Sequence, residues 1–259
     1  MQIQVYNTAC EAADQVARIL TENIGSHQSP VLGLPTGGTP QQVYAKLVSN
    51  FRAGGSSWRH VRSFNLDEYV GLGRSDPASY ASYMYSHLFR HVDCPAGQWH
   101  IPDGLSQDPV AEADLYESAI GDAGGMDVVF MGIGCNGHIG FNEPGTPHNS
   151  RCSCVLLENE TIRANSRYFS SAEKVPTRAI TMGIGTILSS RKLVLLATGA
   201  DKASAVSLAV EGPVSENLPA SALQRHGEVT IVLDRNAASL LGNSSDRKAE
   251  VALPGRTSV

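Results

Sequence analysis

Residues 126–145 read MDVVFMGIGCNGHIGFNEPG, an apolar run that empties into a loop where glycines alternate with polar side chains. A short unbroken apolar run bounded by glycine marks a strand covered on both faces, not on one. Runs of the same kind recur as VLGL at 31–34, VRSFNL at 61–66, KLVLLATG at 192–199 and VTIVLD at 229–234. Helix signals fall between them. Thr8 to Glu11 spells a capping box ahead of Ala12, Val16, Ile19 and Leu20, which share one helix face. Asp76-Pro77 and Asp108-Pro109 each pair an N-cap residue with a proline at the first helical position. Strands alternating with helices predict an α/β fold, a mostly parallel sheet with helices on both faces.

The chain of 259 residues is 42% hydrophobic and shows no internal repeat, linker or mid-chain shift in composition. One domain over 1–242 is the simplest organisation. The last stretch, NSSDRKAEVALPGRTSV at 243–259, lacks periodicity and reads as a loose tail. A net charge of -5 argues against binding nucleic acid by bulk electrostatics, although a few placed donors can still hold a small anion. No apolar window reaches the length of a membrane span, and MQIQVYNTACEAADQV at the N-terminus has no leader character. The five cysteines are scattered apart from Cys152 and Cys154, whose spacing is no zinc or redox motif. The expectation is a soluble cytoplasmic protein with reduced thiols.

Ligands of a parallel sheet bind where its strands end, so the loops carry the function. After VLGL comes Pro35-Thr36-Gly37-Gly38, with Thr39 as N-cap and Pro40 at the first helical position. Paired glycines and a helix N-terminus suit an anion; the glycine pair alone also suits an ordinary tight turn. The loop is neither a Walker loop nor a dinucleotide turn. Lys202, after KLVLLATG, falls near a helix start and opposes its dipole. It is either a solvated lysine or a partner of an anion shared with Gly37 and Gly38. Asp67 and Glu68 follow VRSFNL directly; neighbours on an extended backbone point opposite ways, so one of the two faces the site. A carboxylate in partly apolar surroundings can serve as a base, whereas an ordinary helix cap is the plain alternative.

In the opening loop Asn136, His138 and Glu143 are the strongly polar side chains able to do chemistry, with Asn142 as support. A carboxylate or amide oxygen that holds one ring nitrogen leaves the other for proton transfer. His138, His148 and Cys152 match no strong metal-ligand spacing. Together the loops supply an anion cradle, a carboxylate base and an oriented histidine. That set moves protons on a phosphorylated small molecule with no cofactor and no metal.

The motifs LGLPTGGTP, FNLDEYVGL, GIGCNGHIGFNEPG, ANSRYF, TGADKA, AVEGPV and PASALQRH, in that order between Val31 and His226, resemble the glucosamine-6-phosphate deaminase family. The resemblance implies a modified Rossmann-like fold and conversion of glucosamine 6-phosphate to fructose 6-phosphate and ammonia. It implies His138 as the acid/base that opens the sugar ring, oriented by Glu143 and Asn136, and Asp67 as the base that moves a proton between C2 and C1. Thr36, Gly37, Gly38, Thr39, Arg167 and Lys202 become the holders of the substrate phosphate. Many members carry aspartate where this chain has Asn136, which accepts a hydrogen bond but brings no charge. Members regulated by N-acetylglucosamine 6-phosphate use basic residues where Ser153 and Val155 align here, so a non-allosteric enzyme is expected. The irregular segment 155–175, with Arg167 and Tyr168-Phe169, is the expected mobile piece. On this scaffold a 6-phosphogluconolactonase is the alternative, and FNLDEYVGL tells against it. A sugar-phosphate sensor would want a helix-turn-helix segment, and none is legible. Preference for glucosamine over galactosamine 6-phosphate and oligomeric state stay open at this level; a homo-oligomer is compatible.

Overall fold

The computed structural model of the chain describes residues 1–166, 169 and 174–242. Arg167, Tyr168 and the tail expected at 243–259 lie outside the described residues. Its centre is a seven-stranded sheet. The strands are β1 (Gln2–Tyr6), β2 (Val31–Leu34), β3 (Arg62–Asn65), β5 (Trp99–His100), β6 (Val128–Met131), β9 (Lys192–Ala197) and β10 (Val229–Asp234). Their order across the sheet is β1-β10-β9-β6-β2-β3-β5, and every pair is parallel. The parallel sheet expected from the apolar runs is therefore present.

Both faces are covered, and the alternation along single strands shows it. Val128 and Phe130 of β6 join one core cluster, while Val129 and Met131 join the other. The first cluster holds the apolar stripes of α1 (Ala9–Ser26), α2 (Gly38–Arg52) and α3 (Tyr80–His87). The second holds those of α4 (Pro109–Asp122), α6 (Ile184–Leu188) and α7 (Ala203–Glu211). Strand residues on alternate faces bury both sets, which is why these sequences are continuously apolar. Thr8 caps α1 in a reciprocal box with Glu11, and Asp108 caps α4 ahead of Pro109, as their spacing predicted.

Three expectations are corrected. Helix α2 starts at Gly38 with Gly37 as N-cap, two residues before the Thr39-Pro40 start read from the sequence. Gly37 has φ of 115°, a conformation that favours glycine, and the chain enters the helix directly from it. Asp76 does not start α3; its Oδ1 accepts from Ala78 N–H in a local turn, and Ser79 caps the helix at Tyr80. Segment 155–175 is not wholly irregular: β7 (Ser153–Leu156) and α5 (Asn159–Asn165) occupy its first part.

A second, three-stranded antiparallel sheet was not legible in the sequence. It orders β4 (Asp67–Tyr69), β8 (Arg178–Thr181) and β7. The chain passes from β3 into β4 through Leu66 alone, whose N–H donates to Leu34 O at 3.0 Å and whose carbonyl accepts from Met182 N–H at 2.7 Å. Asp67 thus sits on a strand of the second sheet, not in a loop after the first.

Strand β2 delivers the glycine-paired turn, and its own Gly33 has no room for a side chain. An added Cβ would stand 2.7 Å from Val129 Cγ2 on the neighbouring strand β6. Val129 is a stiff β-branched residue inside the sheet. Gly33→Ala should therefore destabilise the fold by about 1–3 kcal/mol, as overpacking does. Equilibrium urea unfolding checks this, and an unchanged midpoint would contradict the packing described.

Candidate active site

The strand ends of the two sheets enclose a cavity of about 930 Å³. Its wall includes Thr36, Gly37, Gly38 and Thr39 from the turn after β2, Asp67 from β4, Asn136 and His138 from the loop after β6, and Lys202 after β9. Four loops read separately in the sequence meet at one place. Glu143 stands behind His138 and is buried, outside the cavity wall.

The turn after β2 is held from its carbonyl side. Tyr44 donates its hydroxyl to Pro35 O, and Tyr83 donates to Gly37 O at 2.6 Å. With those oxygens tied to side chains, the start of α2 presents its unpaired N–H groups and the positive end of its dipole to the cavity. At the adjoining helix start, Lys202 is the N-cap residue of α7 after a 3-10 turn over Ala200–Lys202. Its ammonium stands 3.6 Å from Asp201 Oδ2 and 3.2 Å from Cys135 Sγ. These neighbours offset its repulsion from the dipole and hold it at the cavity wall. The cradle is an anion site in its chemistry: backbone N–H groups on one side and one ammonium on the other.

Asp67 is buried and receives no hydrogen bond among the described residues. Burial, aided by the charge of Glu68, pushes its carboxyl up to about 8. Glu68 turns the other way, as the alternation of a strand requires. Its oxygens accept from Tyr69, Tyr80 and Ala81 N–H at 2.8, 3.0 and 2.9 Å, capping α3. Burial pushes Glu68 up to about 7 against those three donors. Of the adjacent acids, then, Glu68 caps a helix and Asp67 faces the cavity without a partner. Gly140 leaves the space beside it: a Cβ there would stand 3.4 Å from Asp67 Oδ2.

His138 depends on a glycine for its position. A Cβ on Gly134 would lie 2.3 Å from the imidazole Cε1, so only a residue without a side chain admits the ring. Nδ1 is buried 3.5 Å from Glu143 Oε2, within ion-pair reach but off the line of a hydrogen bond. Asn136 does not bond the imidazole. Its Oδ1 accepts from the His138 backbone N–H at 3.2 Å, and its Nδ2 donates to Glu143 Oε2 at 2.8 Å. The expectation that Asn136 orients the ring directly is corrected: it fixes the backbone of His138 and the carboxylate of Glu143. Thr161 of α5 donates to the other oxygen, Glu143 Oε1. Burial pushes Glu143 up, but the nearby His138 ring, donation from Thr161 and the Asn136 amide outweigh it and hold the carboxyl at about 2. Asn142 supports the loop through its Nδ2, which donates to Ile139 O and Met182 O, both at 2.8 Å.

Arg167, expected among the phosphate holders, lies outside the described residues. Sequence reasoning missed Thr161, Tyr44 and Tyr83. Tyr83 bonds a carbonyl 46 positions away, and no short-range pattern announces such a contact.

The burial of Asp67 carries a stability cost with a definite pH dependence. The folded carboxyl keeps its proton up to about 8, whereas an unfolded aspartate releases it near about 3.9. The stability it contributes is complete below the unfolded value and is lost as pH rises through the folded one. Asp67→Asn never ionises, so its melting temperature relative to wild type should climb between acid pH and about 8 and then level off. Thermal melts across that range check this, and a constant difference would contradict the burial described.

Comparison with known proteins follows the same lines. The family described as glucosamine-6-phosphate isomerases/6-phosphogluconolactonase matches residues 6–232. A glucosamine-6-phosphate deaminase of Bacillus velezensis is 47% identical over 88% of this chain and 95% of its own length. Glucosamine-6-phosphate deaminase 1 of Bacillus subtilis is 45% identical over 93% of this chain and 98% of its own. A solved structure of a monomeric glucosamine-6-phosphate deaminase superposes with a TM-score of 0.91 at 44% identity, covering 93% of this chain and all of that one. The 6-phosphogluconolactonase of Trypanosoma cruzi shares the fold at 21% identity, with a TM-score of 0.73. With its cradle, buried acid and histidine gathered beyond the strand ends, and with these relatives, the chain belongs to the glucosamine-6-phosphate deaminase family.

Proposed function

We infer that this chain converts glucosamine 6-phosphate and water into fructose 6-phosphate and ammonia, a step of amino-sugar breakdown that uses no cofactor. The observation that carries the reading is Asp67: a buried carboxyl with no hydrogen-bond donor among the described residues, facing the same cavity as His138. The phosphate sits in the cradle of Thr36, Gly37, Gly38 and Thr39 with Lys202, and Arg167 joins them by resemblance. His138, backed by Glu143 and positioned by Asn136, takes the proton of the anomeric hydroxyl and returns it to the ring oxygen, which opens the pyranose. Asp67 then takes the proton from C2, leaving an enolamine, and delivers a proton to C1. The resulting imine at C2 adds water and expels ammonia. A lactonase has no use for a base at C2, so the partnerless Asp67 favours the deaminase over the lactone hydrolysis found elsewhere on this fold.

The described residues surround one central sheet, which supports a single catalytic unit over 1–242. Every proposed group comes from one chain, so the chemistry requires no second copy. Among the described residues no helix is long and apolar enough to cross a membrane. The five cysteines are all free, which supports a reducing, cytoplasmic setting.

The test measures ammonia and fructose 6-phosphate released from glucosamine 6-phosphate, with galactosamine 6-phosphate and 6-phosphogluconolactone as parallel substrates. Wild type should act on glucosamine 6-phosphate, and Asp67→Asn should lose roughly 100- to 10,000-fold in kcat. Because Asp67 accepts protons only when ionised, kcat/KM should rise with pH toward about 8. A lactonase rate without ammonia release would overturn the reading.

Asn136→Asp gives a second check. The replacement puts a carboxylate where an amide N–H now donates to Glu143 at 2.8 Å. Two carboxylates that close share a proton, and the pair gains a macroscopic pKa above that of Glu143 alone. The variant's pH–rate profile should therefore acquire an additional acid limb, and superimposable profiles would contradict the Asn136–Glu143 contact.

A further inference from the structure

At the end of the sheet opposite the active site lies a second, smaller cavity of about 370 Å³. It is lined by Arg59, His60, Arg62 and His100, with Ser29 and Gln98 between them. Ser29 precedes β2, Arg62 opens β3, and Gln98 precedes β5, so the pocket sits at the amino ends of three neighbouring strands. The substrate cavity sits at the carboxyl ends, a strand length of about 3.3 Å per residue away.

No ion pair among the described residues engages the positive charge gathered in the pocket. Among the described residues no carboxylate lines it, and Arg62, half-buried at the start of β3, makes no ion pair or side-chain hydrogen bond. The carboxylate whose field reaches Arg59 is Asp93, and both its oxygens are occupied. Oδ2 accepts from the Ser57 hydroxyl at 2.7 Å and Oδ1 from Trp58 N–H at 2.6 Å. His100 is fixed as the floor: its ring stacks on Phe64 with centroids 4.7 Å apart, and its carbonyl accepts from the Tyr116 hydroxyl at 3.1 Å. Burial, then the fields of Arg62 and Arg74, hold its imidazole below its ordinary range. At neutral pH His100 therefore offers a single N–H donor beside two guanidinium groups. On a chain whose net charge is -5, such a cluster is a local reversal of sign.

Two guanidinium groups on one concavity match the oxygens of a phosphate, because each offers paired donors in a fixed plane. A volume of this order also leaves space for a small group attached to the phosphate. We propose that the pocket formed by Arg59, His60, Arg62 and His100 is a second anion site, which binds phosphate or a small phosphate monoester apart from the substrate cavity.

The test titrates the full chain with inorganic phosphate, and separately with glucose 6-phosphate, following the imidazole proton signals of the histidines by NMR. His60 and His100 should shift saturably at millimolar anion, and the shift should weaken about tenfold in apparent affinity for each guanidinium removed in Arg59→Gln and Arg62→Gln. Tighter binding of glucose 6-phosphate would identify the monoester as the ligand; equal affinity would identify the free anion. Both variants should keep the wild-type rate on the amino-sugar phosphate, since neither residue touches the substrate cavity. If Arg62→Gln does not fold, the exposed Arg59→Gln carries the comparison. His60 and His100 signals that stay fixed would overturn the proposal. So would shifts that sodium chloride reproduces at equal ionic strength, or shifts that are the same in the variants. The failure of the deaminase reading would show separately, in the ammonia assay.

Discussion

A parallel sheet buried on both faces favours polar side chains at its strand ends, and this constraint governs the molecule. Every residue of β6, Leu193–Ala197 of β9 and Ile231–Leu233 of β10 enters one of two apolar cores, and an unpaired polar group among them would cost free energy with no water to satisfy it. The groups that line the substrate cavity thereby lie beyond the carboxyl ends, in loops and, for Asp67, on β4 of the second sheet. Parallel strands end on the same side, so the loops converge without further instruction from the sequence.

The second sheet adds what the first cannot supply. Burial raises the pKa of a carboxyl that is to act as a base, and a flexible loop gives little burial. The chain leaves β3 through Leu66 and at once becomes β4 of the antiparallel sheet. The pairing of Asp67 with Thr181 fixes the backbone and sends the two adjacent acids to opposite sides. Glu68 finds two backbone N–H groups at the start of α3 and a third on Tyr69, while Asp67 finds none among the described residues. One dipeptide thus holds a structural carboxylate and a partnerless one, and the strand's period of two decides which is which.

Much of this was readable in the chain. The central strands, the caps at Thr8 and Asp108, and the four loops that meet at the cavity follow from hydrophobic runs and capping chemistry, because both are local. Short edge strands such as β5, with two residues, carry too little pattern to recognise. Strands β4, β7 and β8 form a partly covered sheet in which β4 pairs with a strand more than a hundred positions away, and no local period records that. The roles of Asn136 and Thr161 were hidden for the same reason. A side chain's partner is settled by tertiary geometry, so an amide expected to hold an imidazole instead holds a backbone N–H and a carboxylate.

The central claim is that Asp67 carries the proton between C2 and C1. The most direct measurement runs the reaction on glucosamine 6-phosphate in deuterated water and reads the label at C1 of fructose 6-phosphate by NMR, for wild type and Asp67→Asn. The account predicts deuterium at C1 in the wild-type product, because a cavity-facing carboxylate exchanges its proton with solvent. It also predicts neither product nor C2 exchange in the variant, although the variant still opens the ring through His138. A variant that exchanges the C2 proton at the wild-type rate would contradict it, and the base would have to be sought elsewhere on the cavity wall.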